Sequence, residues 1–231
     1  MSRSSTPALR VVRPEDQTAP KVQLPPRERP KGGATRERIL AIAEASVLAK
    51  GFDATSIEEI IAEAGLTKSG FFYHFRDKNE LARAMMRRSA ATDEVVYDQV
   101  FSRGRELSDD PLQAFLIGLK LLADVMADLP GGHPGCLIAS ICYQERLFDR
   151  EVREANRAWL ASWHARFLGH LEAIAQAHPP REPVSLPDLA DMLSGVMEGG
   201  IILGKVTGDP RALERQILTY RSLVKRLFSP A

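Results

Sequence analysis

Apolar residues recur along this chain at intervals of three and four, the spacing that gathers side chains on one face of a helix. Ile39, Ala43, Val47 and Leu48 form the first such run, starting from Thr35, and Gly51 closes it as a C-cap does. Thr55-Ser56-Ile57-Glu58 reads as a capping box. In it Thr55 and Glu58 would satisfy the first free N–H groups of a short helix that turns Ile57, Ile60 and Ile61 inward. That helix stops near Gly65. Thr67 caps a second short helix ending at Phe75, and the box Asp77-Lys78-Asn79-Glu80 launches a long one to about Arg103. Further on, the pattern predicts helices over 110–129, over 135–177 with a division near Phe148 and Asp149, over 189–206 and over 212–228. Pro130-Gly131-Gly132 and Pro179-Pro180 break the chain between them. Pro187 and Pro210 introduce the last two helices, where a missing N–H does no harm. No sustained period-2 run occurs, so strands are not expected. The expected fold class is all-α with about nine helices. A three-helix unit over 33–80 would precede a larger helical bundle over 81–231.

Composition sharpens this picture. Of the 231 residues, 44% are hydrophobic, enough for a buried core and against general disorder. The net charge of +1 hides an asymmetry. Residues 1–90 carry 16 Lys/Arg against 11 Asp/Glu, and residues 91–231 carry 15 against 19, so a basic end joins an acidic body. Six prolines and scattered apolar residues make 1–32 an expected disordered arm. Its seven basic residues against three acidic ones suit either a solvated tail or an arm that follows phosphates. Cys136 and Cys142 are the only cysteines, and no disulfide framework follows from two. No signal-peptide pattern and no membrane-length apolar stretch is found, so a cytoplasmic protein without a membrane partner is expected.

The two short helices carry the most specific chemistry. Their tight Ala64-Gly65-Leu66 link gives the shape of a helix-turn-helix, with Gly65 permitting the sharp turn. Phe71 and Phe75 stand four apart and share the face that packs on Ile57 and Ile60. Lys68, Ser69, Phe72, Tyr73 and His74 are left facing outward or sideways. Such a helix spans about 11 Å, close to the major-groove width of about 12 Å. Lys68 can reach a guanine edge or a phosphate, and Phe72 a thymine methyl. Tyr73, His74 and Lys78 suit backbone phosphates.

Residues 35–81, TRERILAIAEASVLAKGFDATSIEEIIAEAGLTKSGFFYHFRDKNEL, closely resemble the DNA-binding domain of the tetracycline-repressor (TetR) family. The resemblance implies a larger ligand-binding and dimerisation domain behind it, and repression of an operator relieved by a small molecule. The family's operator-contacting positions fall on Ser56, Thr67, Lys68, Ser69, Gly70, Phe72, Tyr73, His74 and Lys78. Two positions depart from common members. Phe72 replaces a frequent tyrosine, and Gly70 supplies no side chain where others read a base.

In the body, Gly195, Gly199, Gly200 and Gly204 form two pairs four apart, a costly choice inside a helix unless another helix comes close. With the stripe Leu213, Ile217, Tyr220 and Val224 they mark either an internal packing surface or a seam with a second copy. The resemblance adds weight to the homodimer. Candidate effector-pocket residues are Phe115, Leu119, Met126, Cys142, Trp159, Trp163 and Phe167, although aromatics at helical spacing also suit a plain core. Gly135-Cys136-Leu137 near a helix start resembles a segment of family members that sense electrophiles or oxidants, and a helix N-terminus would lower the Cys136 thiol pKa. Neither His164 nor His170 has the i+4 partner a metal site needs. No phosphate-binding glycine loop or nucleophile–base arrangement is found, so neither an enzyme nor a cofactor is expected. The leading expectation is a homodimeric repressor of double-stranded DNA with a small-molecule effector. The alternatives are a ligand-independent regulator, a partner-recruiting module, or a thiol sensor working through Cys136.

Overall fold

The computed structural model describes residues 31–229, and among them every regular element is helical. The helices are α1 (Lys31–Lys50), α2 (Ile57–Glu63), α3 (Lys68–His74), α4 (Lys78–Leu107), α5 (Pro111–Ala127), α6 (Leu137–Tyr143), α7 (Arg150–Ala177), α8 (Leu186–Thr207) and α9 (Ala212–Phe228). The expected arm lies outside the described residues except for its last two positions, which open α1. The division expected near Phe148 is present as a 3-10 turn, Glu145–Leu147, between α6 and α7.

Side-chain caps set most of these boundaries. Thr67 Oγ1 accepts from Gly70 N at 3.1 Å to start α3. Asp77 Oδ1 accepts from Glu80 N at 2.8 Å to start α4, while the Glu80 carboxylate accepts from Arg76 N. The box before α2 lies one residue later than its sequence suggests. Ser56 Oγ accepts from Glu59 N, and Glu59 Oε2 accepts from Ser56 N, each at 3.1 Å. Thr55 cannot serve because its hydroxyl is buried and donates to Gly51 O at 2.9 Å. Pro187 sits in the first turn of α8 as expected, whereas Pro210 precedes the cap residue of α9.

Helix α1 packs on α2, α4 and α6, and α4 continues from this N-terminal unit into the bundle of α5, α7, α8 and α9. Close backbone approach fixes the α4–α5 crossing. A Cβ on Gly104 would lie 2.2 Å from Ala114 O, and one on Gly118 would lie 2.3 Å from Phe101 Cδ1. An aromatic core fills the bundle: Phe101 stacks on Phe115 at 5.5 Å, and Tyr97 meets Phe167 edge-on at 5.5 Å. Phe115, Leu119 and Phe167 are fully enclosed here, so they are core rather than pocket. The stripe Leu213, Ile217, Tyr220 and Val224 is likewise buried within its own chain, with Tyr220 Oη donating to Leu189 O at 2.8 Å. It is therefore an internal seam and not the surface offered to a second copy.

The junction between α6 and α7 ties bundle to N-terminal unit. Phe148 packs on Phe52 with ring centroids 4.4 Å apart. Asp149 N donates to Asn79 Oδ1 at 3.1 Å, and Arg83 reaches Asp149 at 2.7 Å.

Candidate functional site

Helices α2 and α3 meet at Gly65, whose φ of +60° lets the chain reverse where a side chain would be strained. Leu66 N donates back to Ile61 O at 3.0 Å and closes the turn. The two α3 phenylalanines divide from their neighbours as the spacing requires. Phe71 and Phe75 are 0% exposed, with ring centroids 5.9 Å apart, and pin α3 to the core. Phe72 is 41% exposed and Tyr73 84%, alongside exposed Thr67, Lys68 and Ser69. Gly70 and His74 are half-buried, and Tyr73 meets His74 edge-on at 5.0 Å. An exposed phenylalanine beside an exposed tyrosine on a seven-residue helix is a surface that water alone does not explain.

Two other expected positions have local work to do. Ser56 caps α2, and Lys78 Nζ donates to Phe52 O at 2.9 Å while lying 4.7 Å from that residue's ring centroid. Burial of Lys78 pulls its ammonium below the usual lysine range.

Residues 39–85, which span this whole arrangement, match the family model of the bacterial regulatory proteins, tetR family. The chain carries a TetR-family DNA-binding domain. It is similar to the uncharacterized HTH-type transcriptional regulator YxaF of Bacillus subtilis, 27% identical over 185 residues that cover 78% of this chain and 90% of that one. It is also similar to the transcriptional regulator AcuR of Cereibacter sphaeroides, 25% identical over 90% of this chain and 95% of the relative. A TetR-family transcriptional regulator from Agrobacterium tumefaciens has the same fold, with a TM-score of 0.70 at 18% identity over 86% of this chain and all of the other. This chain is thus a DNA-binding transcriptional regulator with a TetR-type helix-turn-helix. Among the described residues no helix is long and apolar enough to cross a membrane.

Behind the DNA-binding helices the chain holds a cleft of about 890 Å³ between α1, α4, α7, α8 and the segment 133–137. Its apolar wall includes Tyr97, Met126, Leu137, Trp159, Trp163 and Met197. Its polar wall includes Arg88, Asp93, His133, Cys136 and Glu198. Of the residues expected at an effector pocket, Met126, Trp159 and Trp163 line this cleft, whereas Cys142 does not and is exposed.

Cys136 stands at the N-terminus of α6, yet its thiol is not activated. Burial, joined by the Glu198 carboxylate beside it, pushes its pKa up to about 12. The expected lowering fails because desolvation of a thiolate outweighs one short helix's amides. Asp93 and Glu198 were not anticipated. Asp93 stands four residues before Tyr97, on the buried side of α4, and that spacing was the available signal.

The α8 glycines serve two surfaces. A Cβ on Gly200 would lie 2.8 Å from Leu213 Cα, and one on Gly204 3.1 Å from Asp209 O, so this pair admits the chain's own α8–α9 hairpin. Gly195 and Gly199 face open space. With exposed Met192, Ile202, Leu203 and Val206 they form one apolar face along α8.

Proposed function

We propose that this regulator is a homodimeric repressor whose two α3 helices enter successive major-groove turns of a palindromic operator, about 34 Å apart. The outer face of α3 carries the reading, because Phe71 and Phe75 hold the helix while Phe72 and Tyr73 stand free. Lys68 takes a guanine edge or phosphate and Phe72 a thymine methyl, with Ser69 beside them. Tyr73, His74 and Lys78 hold phosphates, and Ser56 and Thr67 lie at the helix starts where backbone N–H groups meet anions. Gly70 lets the backbone approach the groove closely. Residues 33–80 are the DNA-binding domain, and 81–231 serve effector binding and dimerisation.

The exposed α8 face from Met192 to Val206 supports pairing with a second copy, since an apolar row of this length is rarely left in water. The cleft beside Trp159 and Trp163 supports release by a small molecule over a ligand-independent bundle. A thiol-sensing role loses its main support with the raised Cys136 pKa. The test is a mobility-shift assay on DNA upstream of the chain's own gene. The complex should weaken with salt and with Lys68→Ala or Tyr73→Ala, and binding indifferent to all three would sink the reading.

A further inference from the structure

The cleft lining carries Arg36, Arg87 and Arg88 against Glu37, Glu44, Asp93 and Glu198. Arg88 lies between Glu44 and Glu37, with Arg88 Nε 3.3 Å from Glu37 Oε2. The Arg36 guanidinium sits 4.8 Å from the Phe75 ring centroid, toward the helix-turn-helix core, and Arg87 is exposed at the rim. His133 is held neutral near pH 7, because burial and the nearby Lys205 charge bring its pKa down to about 4. Asp93 and Glu198 are the lining carboxylates that form no ion pair among the described residues. Among the described residues the charged groups acting on Asp93 are Glu44 and Glu94, both carboxylates. Such a carboxyl is expensive to ionise unless something brings the opposite charge.

The surroundings of Asp93 suit one kind of partner. Trp159 and Trp163 are 7% and 9% exposed, and neither indole N–H finds a hydrogen-bond partner among the described residues. Trp159 Nε1 lies toward the Asp93 carboxyl without closing a bond of standard geometry. The two indoles meet at 6.0 Å, and Tyr97 meets Trp163 edge-on at 5.9 Å, giving a corner of three rings beside the acid. Aromatic faces attract cations as carboxylates do, and these two features converge here.

We propose that the cleft binds an organic cation: an amine or onium centre set against Asp93, with Glu198 as second carboxylate, and an apolar body lying on Trp159, Trp163 and Tyr97. A volume of about 890 Å³ accommodates a body of several rings. This assignment rests on the reading of the cleft as the effector site. It also carries a pH dependence, since burial pushes the Asp93 carboxyl up to about 7. Below neutrality the acid is largely protonated and the cation loses its partner.

Trp159 and Trp163 are the chain's only two tryptophans, so intrinsic emission reports on this cleft alone. The full-length protein is titrated with tetraphenylphosphonium and with tetraphenylborate, which share a shape and differ in sign. The cation should bind roughly tenfold tighter or more, and Asp93→Asn should remove most of that preference. Its affinity should also fall several-fold from pH 8 to pH 6. Glu198→Gln gives a second, smaller loss and serves if Asp93→Asn fails a circular-dichroism check of folding. Equal binding of the two ions, tighter binding of the anion, or binding of neither overturns the proposal, as does indifference to both substitutions. An operator mobility shift run in parallel separates the two readings. Retained operator binding with no cation preference sinks only the cation site. Cation binding that depends on Asp93, with no operator complex, sinks only the repressor.

Discussion

The side-chain oxygen of Gln144 accepts hydrogen bonds from the backbone N–H groups of Phe52, at 2.9 Å, and Asp53, at 3.3 Å. It joins the residue after α6 to the turn that leads into α2. Because α6 begins at the cleft, beside Cys136 and Leu137, one short helix runs from the cleft wall to the helix-turn-helix. Gln144→Ala should leave the bundle folded but free this turn, at a cost of about 1–3 kcal/mol for the two lost bonds. Hydrogen exchange at the Phe52 and Asp53 amides should speed up, and operator affinity should fall several-fold. Unchanged protection of both amides would show that Phe148 holds the turn without Gln144.

The two sides of α3 should separate cleanly under mutation. Phe71→Ala opens a cavity at a fully enclosed position and should cost about 3–5 kcal/mol of stability. Tyr73→Ala removes a ring that is 84% exposed and should leave the melting temperature within a degree or so while weakening operator binding. Thermal melts and mobility shifts on both variants check this pair, and a large loss of stability in Tyr73→Ala would remove its assignment to DNA.

Two glycines inside long helices should behave in opposite ways. Gly104→Ala drives a methyl group into Ala114 O, and overpacking there should cost about 1–3 kcal/mol or more. Gly195→Ala meets nothing within 4 Å and should raise the stability of the isolated chain by about 1 kcal/mol through helix propensity. Val206→Asp, at a residue 80% exposed, should spare the fold and shift the sedimentation coefficient toward that of a monomer. A Val206→Asp protein that sediments like the parent would move the seam away from this face.

Buried acid and buried imidazoles set opposite pH limbs. Asp93 is raised from its usual 3.8 to about 7 by burial, so the stability it permits below 3.8 is lost as the pH climbs through 7. Asp93→Asn should therefore raise the melting temperature at pH 8.5, with the gain shrinking toward pH 5. His133 and His170 are lowered from 6.5 to about 4, chiefly by burial, so their contribution is present above 6.5 and lost as the pH falls toward 4. His170→Leu should flatten that acid limb. A gain in Asp93→Asn that grows on acidification would contradict the assignment.

Helix positions and the division of α3 were legible because both follow from spacing along one helix. Phe71 and Phe75 could be told from Phe72 and Tyr73 by counting in fours. The capping box before α2 was missed by one residue because Thr55 and Ser56 are both competent caps. Only the burial of Thr55 against Ser46 and Gly51 decides between them. The cleft was less legible for a related reason. Phe115, Phe167 and Trp163 look alike in sequence, and which of them meets empty space depends on how α4, α5 and α7 cross. The α9 stripe was visible, but its destination was not, since an apolar face does not state whose chain will cover it.

The tight contact of Gly104 with α5 also has a mechanical meaning. It grips α4 near its C-terminal end, and the helix then runs unbroken to its cap at Asp77, a span of about 40 Å at 1.5 Å per residue. A tilt of only about 5° at that grip carries the Asp77 end through about 3.5 Å, by the same geometry. Asp93 and Tyr97, in the cleft's α4 wall, lie nearer the fulcrum, on the shorter arm of this lever. A displacement at Tyr97 smaller than a methyl group would therefore emerge magnified at the Asp77 end beside α3, enough, under the proposed operator docking, to move Lys68 and Tyr73 out of register with a groove.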